Sequence, residues 1–422
     1  MSPFFDKRNI NNNFENQLKP ISLKRYLIFS FAVILTVSCA KFQSEPFVDS
    51  RSEISNKSSI EQTARDIYEH FYGPATKSFN STVSSVITLG DSLATVVNFA
   101  AGGFVIIQNG GDELPLAVSQ SGAFLSEEGE ETPQIVVSSI LRGLKPDPIF
   151  PPDTSYAFIQ EVVTYQDSLI VNPMIEVKWH QHEPFNMFAP NGLAGCAAVG
   201  VAQAISVFSF PSSISLTYPG ADMLEATLDW SQMKESMHSD LSSFGLHDYL
   251  TCDVCLQCAR LMRQLGVYCN IQYNNGSSGT SLNDYRVPLS NLGYSSLYAD
   301  YSVDNVLSSL QSGYPIIIRG VTALYEGHIF NVDGCKHYEK NYTLMVYESG
   351  SWRVDSYRSE SETYLHLCYG QQLGLFDGYY LARITNYNQP VGGSPYYYED
   401  NTLHGREWNN DLKITYNIHP LD

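Results

Sequence analysis

Residues 191–208, NGLAGCAAVGVAQAISVF, constrain the fold more than any other part of the chain. They are small and apolar, and a run of this length and alanine content favours a buried helix over a strand. A second helical stretch covers 252–265. Strand-like runs then follow at 315–319 (PIIIR), 328–332 (HIFNV) and 341–347 (NYTLMVY), with Asp333-Gly334 read as a turn, and another strand pair is expected at 363–369 and 379–384. Helices first and antiparallel strands afterwards make an α+β fold with segregated layers over 173–385.

The region upstream has its own texture. Ile60, Ala64, Ile67 and Phe71 recur at helical spacing and are stopped by Gly73-Pro74. Apolar runs at 93–99 and 104–107 flank Ala-Ala-Gly-Gly, the pattern of a β-hairpin. This predicts a small α+β domain over 58–125. An acidic run (Glu127, Glu128, Glu130, Glu131) comes next, then a short helical pattern, then KPDPIFPPD at 145–153 with four prolines in nine residues. That composition is extended and accessible, so 126–172 reads as a protease-sensitive linker. The polar, tyrosine-rich segment 386–422 has no assignment.

Composition narrows the function. The 422 residues are 43% hydrophobic, enough for a large packed core. The net charge of −19 argues against a nucleic-acid partner, which would need a basic face. One apolar run stands out, 26–38, and its 13 residues fall short of the roughly 17–25 needed to cross a bilayer as a helix. It follows Lys24-Arg25 and reads as an export signal over 1–39. The sequence Thr36-Val37-Ser38-Cys39-Ala40 loosely resembles a bacterial lipobox, with Leu35 one place early. Cys39 is then the lipidation site, residues 40–57 a tether, and the product an exported protein anchored to the membrane at the cell envelope, or secreted. An ordinary signal peptide with an incidental Cys39 is the other reading.

Seven further cysteines remain, Cys196, Cys252, Cys255, Cys258, Cys269, Cys335 and Cys368. An odd number leaves at least one thiol unpaired. Cys196 is the candidate for chemistry. A thiol attacks a carbonyl as thiolate, and a helix N-terminus with a cationic histidine lowers its pKa from about 8.5. Cys196 follows Gly195 and opens the small-residue helix. His328 lies 132 residues downstream, a separation within the roughly 130–150 of papain-type arrangements. His337 sits in a charged turn and is the weaker base. Taken singly, Cys196 and His328 also fit bland roles as core residues.

The wider pattern decides between these roles. Trp179-x-Gln181-x-x-Pro184-Phe185-Asn186, then Ala194-Gly195-Cys196-Ala197-Ala198-Val199 with Ala202-Gln203, resembles the streptopain family of cysteine peptidases (the C10 peptidases). Glu326-Gly327-His328 through Asp333-Gly334 is similar to the family's second block. The run 273–279 (YNNGSSG) resembles its Ser/Gly-rich loop, and Asp229-Trp230 its short tryptophan segment. The resemblance covers roughly 60–125 and 172–385. It implies a papain-like two-layer catalytic domain behind an inhibitory pro-domain, with protein or peptide as substrate and no cofactor or metal. On that carry-over Cys196 is the nucleophile, His328 the general base and acid, and Gln181 a donor to the oxyanion hole.

One block departs from the family. Where it has an imidazole-orienting Asn and a packing Trp, this chain has Cys368 and Tyr369, and a thiol is a poor acceptor. A degenerate, non-catalytic peptidase-fold lipoprotein that binds peptides or host protein is therefore the alternative. Cys252-x-x-Cys255-x-x-Cys258 has metal-like spacing, but in a helix it reads as an inward core face, with a disulfide or a metal site as lesser alternatives. His180 and His182, flanking Gln181, read as surface histidines.

Overall fold

The computed structural model describes residues 60–73, 82–89, 94–109, 115–124, 159–236, 251–274, 277–281, 284–321, 327–348, 351–371, 374–382, 396–399, 402–405 and 412–421. All lie in the compact unit Lys57–Asp422. The export signal with Cys39, the tether, the acidic run and the proline-rich 145–153 fall outside the described residues.

Chain order begins with α1 (Ile60–Tyr72), β1 (Val83–Leu89), β2 (Ala94–Phe99), β3 (Phe104–Gln108), β4 (Pro115–Ser119) and β5 (Ile159–Val171). Then come α2 (Cys196–Ser206), β6 (Ser213–Ser215), β7 (Glu225–Thr227), α3 (Trp230–Ser236), α4 (Asp253–Tyr268), β8 (Gln272–Asn274), β9 (Ser277–Gly279) and α5 (Val287–Asn291). The chain continues through β10 (Tyr294–Asp300), α6 (Val303–Gln311), β11 (Ile316–Val321), β12 (Gly327–Glu348), β13 (Ser351–Cys368) and β14 (Gly378–Leu381). It ends with β15 (Tyr396–Glu399), β16 (Thr402–Gly405) and β17 (Lys413–Pro420).

One large sheet organises these elements, in the order β1-β2-β3-β4-β14-β13-β12-β11-β17-β10, with β5 also paired to β12. Every pairing is antiparallel. Strand alternation sorts the side chains between two cores. Ile317, Ile329, Cys368 and Ile418 join Trp179, α2 and α4 in one core. Ile316, Ile318, Phe330 and Leu367 face the other way and meet α1, α6 and the strands β1–β4. The mixed architecture of a large antiparallel sheet and few helices agrees with the expected α+β class, and helices cover both faces of the sheet.

The N-terminal hairpin forms as the sequence predicts, and β4 pairs with β14, so strands from 58–125 are continuous with those of 173–385. Gly378 sits where an added Cβ would lie 2.3 Å from the Val118 carbonyl oxygen, so the two strands approach closely only without a side chain there.

Four sequence expectations change. Asp333-Gly334 is not a hairpin turn. It is a bulge within the single long strand β12, with Val332 opposite Leu367 and Gly334 opposite His366. Part of the expected linker, 159–171, is β5, drawn into the sheet by main-chain pairing with β12. The unassigned C-terminal segment supplies β17, a strand paired on both sides between β11 and the edge strand β10, anchored by fully buried Leu412, Ile414 and Ile418. Finally, Cys252 is not part of the helical face, because it is the N-cap of α4 and is disulfide-bonded to Cys255. Cys258 and Cys269 remain buried free thiols.

Candidate active site

Residue 195 is the first requirement of the site. Gly195 caps α2 at φ 92°, a left-handed backbone that favours glycine, and an added Cβ would meet Ile271 Cδ1 at 2.7 Å. The turn delivers Cys196 as the first helical residue, where main-chain N–H groups lack intrahelical partners and the helix dipole is positive. From Ala197 to Ser206 every residue of α2 is buried. The helix is wedged between α4 and the sheet, and Gly200 lies so close to β12 that a Cβ would come within 2.9 Å of Ile329 Cγ2.

The segments before the helix are tied down. Asn191 Nδ2 donates to the Asn274 carbonyl oxygen (2.8 Å), and Ser278 Oγ donates to the Leu193 carbonyl oxygen (3.1 Å). This is where the Ser/Gly-rich loop of the sequence reading sits. Ala194 N–H donates to the Gln181 carbonyl oxygen at 2.9 Å, which brings the Gln181 residue beside the entry to α2. Gln203 Nε2 donates to the Trp179 carbonyl oxygen (2.9 Å), and Asn331 Nδ2 donates to Gln203 Oε1 (2.9 Å). The three sequence blocks are thus joined by one buried chain of hydrogen bonds. Trp230 stacks on Trp179 at 6.2 Å and donates through Nε1 to the Pro211 carbonyl oxygen, so the short tryptophan segment packs the helical layer.

His328, second residue of β12, reaches Cys196. The two side chains are close enough for each to shift the other's titration. The ring nitrogen Nε2 donates to the Tyr369 carbonyl oxygen at 2.9 Å, which leaves Nδ1 as the nitrogen available to the sulfur. Burial pushes the Cys196 thiol up, but the hydrogen bond and charge of His328, with main-chain bonds at Ile329 and Ala197, bring it below the ordinary thiol value. Burial pulls His328 down, and Cys196 together with the Tyr369 carbonyl raises it above the ordinary imidazole value. These opposite shifts favour a thiolate–imidazolium pair.

The orienting role expected at Cys368 does not fall to its thiol. Cys368 Sγ lies 3.9 Å from His366 Nδ1, and that nitrogen is 2.6 Å from Asp333 Oδ1. The main-chain oxygen of the next residue holds His328 instead. The Tyr369 ring does take a packing place, stacked on Phe330 at 5.2 Å, and Phe330 in turn stacks with His328 at 6.2 Å.

Sequence reasoning missed Asp377 and Lys178. Asp377 Oδ1 accepts the Tyr369 N–H at 2.8 Å, and Oδ2 accepts from Lys178 Nζ at 3.0 Å. Burial raises the Asp377 carboxyl above the ordinary carboxylate value against the pull of Lys178 and His366. No spacing rule marks either residue. The expected surface histidines differ from each other: His182 is exposed, while His180 is buried and set edge-on to Phe185 at 4.8 Å. Asp333, His366 and Cys368 are the cluster with metal-type donor atoms among the described residues. Asp333 already accepts from His366 and from the Ile175 N–H, so its carboxylate is engaged within the protein.

No curated protein matches the chain. Residues 179–380, which hold Cys196, His328 and Asp377, match the Peptidase C10 family, and the match supports the resemblance to the streptopain-like peptidases and a peptidase activity.

Proposed function

We propose that the protein is a cysteine endopeptidase of papain-like design, exported, tethered through acylated Cys39 and made as a precursor inhibited by residues 58–125. The observation that carries the catalytic reading is His328, held through Nε2 by the Tyr369 carbonyl and placed where it and Cys196 shift each other's titration in opposite directions. A thiolate at the N-terminus of α2 attacks the peptide carbonyl carbon, and the carbonyl π electrons move to oxygen. The Cys196 N–H and the Gln181 side chain receive that oxyanion, where one donor commonly contributes ~3 kcal/mol. The proton held by His328 passes to the leaving amine as the C–N bond breaks, giving a thioester. Water then gives its proton to His328 and attacks the thioester, releasing the acid and restoring the pair.

The place of the N-terminal residues supports a coupling to this site. Ser119 Oγ donates to the Asp377 carbonyl oxygen at 2.5 Å, and Ser121 Oγ bonds to the Gly374 carbonyl oxygen. Cleavage in 126–158 would free this domain from its covalent link to the catalytic residues. The non-catalytic alternative arose from Cys368, and a main-chain acceptor for His328 removes its main motive.

A thiol-directed irreversible inhibitor tests the proposal. After linker cleavage the chain is expected to hydrolyse denatured casein, to be labelled once, at Cys196, and to lose turnover on labelling. A Cys196→Ala form is expected to be inert. A processed wild-type chain that neither reacts nor cleaves casein across pH 5–8 would overturn it.

A further inference from the structure

The catalytic histidine hangs on a carbonyl group, so whatever fixes that carbonyl also fixes the histidine. Strand β13 ends at Cys368, and Tyr369 lies beyond the sheet ladder yet is buried. A buried N–H at that point needs a specific acceptor. Asp377 Oδ1 is that acceptor, at 2.8 Å. From the Tyr369 α-carbon the chain therefore leads one way to Asp377 and the other way, through C=O, to His328 Nε2.

Asp377 is itself held on every polar group. Its second carboxylate oxygen takes Lys178 Nζ, its N–H donates to the Gly374 carbonyl oxygen (3.1 Å), and its carbonyl accepts from Ser119 Oγ. On the far side, Gly370 passes close to α2: an added Cβ would lie 3.0 Å from Val199 Cγ1, one turn along from Cys196. The main chain at Tyr369 is thus fixed by the Asp377 carboxylate, and the next residue, Gly370, runs close to the helix that carries Cys196.

We infer that Asp377 is a positioning residue for the Cys196–His328 pair, acting through the main chain of Tyr369 in place of an orienting side chain at Cys368. The inference rests on the peptidase reading for its catalytic consequence but not for its geometry. The other titratable groups that act electrostatically on or with Asp377 are His366, Cys368 and Tyr380, and Cys196 acts so on Cys269. None of these bonds to the Tyr369 N–H.

The test measures carboxamidomethylation of Cys196 by iodoacetamide against pH, read on its own peptide by mass spectrometry, in the full chain before and after linker cleavage. This readout needs no turnover. Asp377→Ala is expected to move the alkylation profile towards that of an ordinary thiol. It should also lower kcat on a fluorogenic peptide about 10–100-fold, with KM within about twofold. Asp377→Asn keeps an acceptor for the Tyr369 N–H and is expected to retain most of the wild-type profile. If Asp377→Ala does not fold, Asp377→Glu keeps the charge but displaces the carboxylate by one methylene, and it too should shift the profile. An Asp377→Ala or Asp377→Glu chain with lowered Tm and an unchanged profile and kcat would overturn the inference. So would a wild-type Cys196 that alkylates as an ordinary thiol. A wild-type chain that shows the shifted profile without peptide hydrolysis would sink the peptidase reading and leave the positioning role standing.

Discussion

His328 Nε2 lies 2.9 Å from the main-chain oxygen of Tyr369. A carbonyl group belongs to every residue, so this bond survives side-chain changes that would break an Asn-based arrangement. It explains how the chain carries Cys368 at the expected orienting position and still brings a thiol and an imidazole together. Orientation is transferred from a side chain to the backbone, and the backbone is fixed by its surroundings.

Replacement of Cys368 therefore separates the two schemes. Its thiol is buried, held far above the ordinary range by burial and by Asp333 and Asp377, and turned to His366. Cys368→Ala is expected to keep kcat/KM within about threefold of wild type while losing about 1 kcal/mol of stability to the small cavity. Steady-state kinetics with a urea titration would check both. A hundredfold fall in kcat at unchanged KM would return the orienting role to the sulfur.

The pH dependence follows from the opposed shifts at the pair. Cys196 titrates below an ordinary thiol, so the thiolate persists into more acidic solution. His328 titrates above an ordinary imidazole, so its proton persists into more alkaline solution. If the proposed peptidase works through this pair, the thiolate–imidazolium form prevails between the two, and kcat/KM should be bell-shaped, falling in acid as Cys196 is protonated and in base as His328 loses its proton. Initial rates on a fluorogenic peptide across pH 4–10 would reveal the two limbs. A single rise centred near pH 8.5, the ordinary thiol value, would contradict the pairing.

The pattern of what the sequence disclosed has physical causes. The helix that starts at Cys196 was legible because apolar, alanine-rich residues continue without a turn former, and the helix α1 because Gly73-Pro74 stops it. The sheet strand β17 was not, because a register shift near positive-φ Asn417 turns buried Ile414 and Ile418 to opposite cores, so Lys413–Pro420 shows no clean two-residue period. Asp333-Gly334 carries turn chemistry, and only tertiary demand, with Asp333 accepting from Ile175 and His366, makes it a bulge. In the site, Cys196 and His328 were readable from motif and separation. Asp377 was not, since it acts on a main-chain N–H that leaves no trace in residue identity.

Gly195 offers a test of the turn. Alanine there would sit at φ 92° with its Cβ 2.7 Å from Ile271 Cδ1. Strained backbone of this kind costs of order 1–3 kcal/mol. Gly195→Ala is expected to lower the Tm and to reduce kcat at least tenfold, because relief of the clash must move the residue next to the nucleophile. Pairing it with Ile271→Val, which removes the contacting methyl, should recover part of the stability and less of the rate. Full recovery of both would mean that the clash alone, and not the left-handed turn, sets the position of Cys196.

His180 makes acid lability a local property. Burial, then the neighbouring His182, lowers it to about 4, and its Nδ1 accepts the His182 N–H as a neutral ring must. The unfolded chain binds this proton near pH 6.5 while the folded chain binds it near 4. The unfolded state therefore holds more protons between those values, and stability falls as pH drops through that window. The contribution is complete above about 6.5, lost below about 4, and of order 3 kcal/mol at most. His180→Asn keeps an acceptor for the His182 N–H without a titrating ring. Urea unfolding at intervals from pH 7 to 4 is expected to show a shallower loss for this variant than for wild type. Parallel curves would mean that His180 protonates in the folded chain as readily as in the unfolded one, and that acid unfolding starts elsewhere.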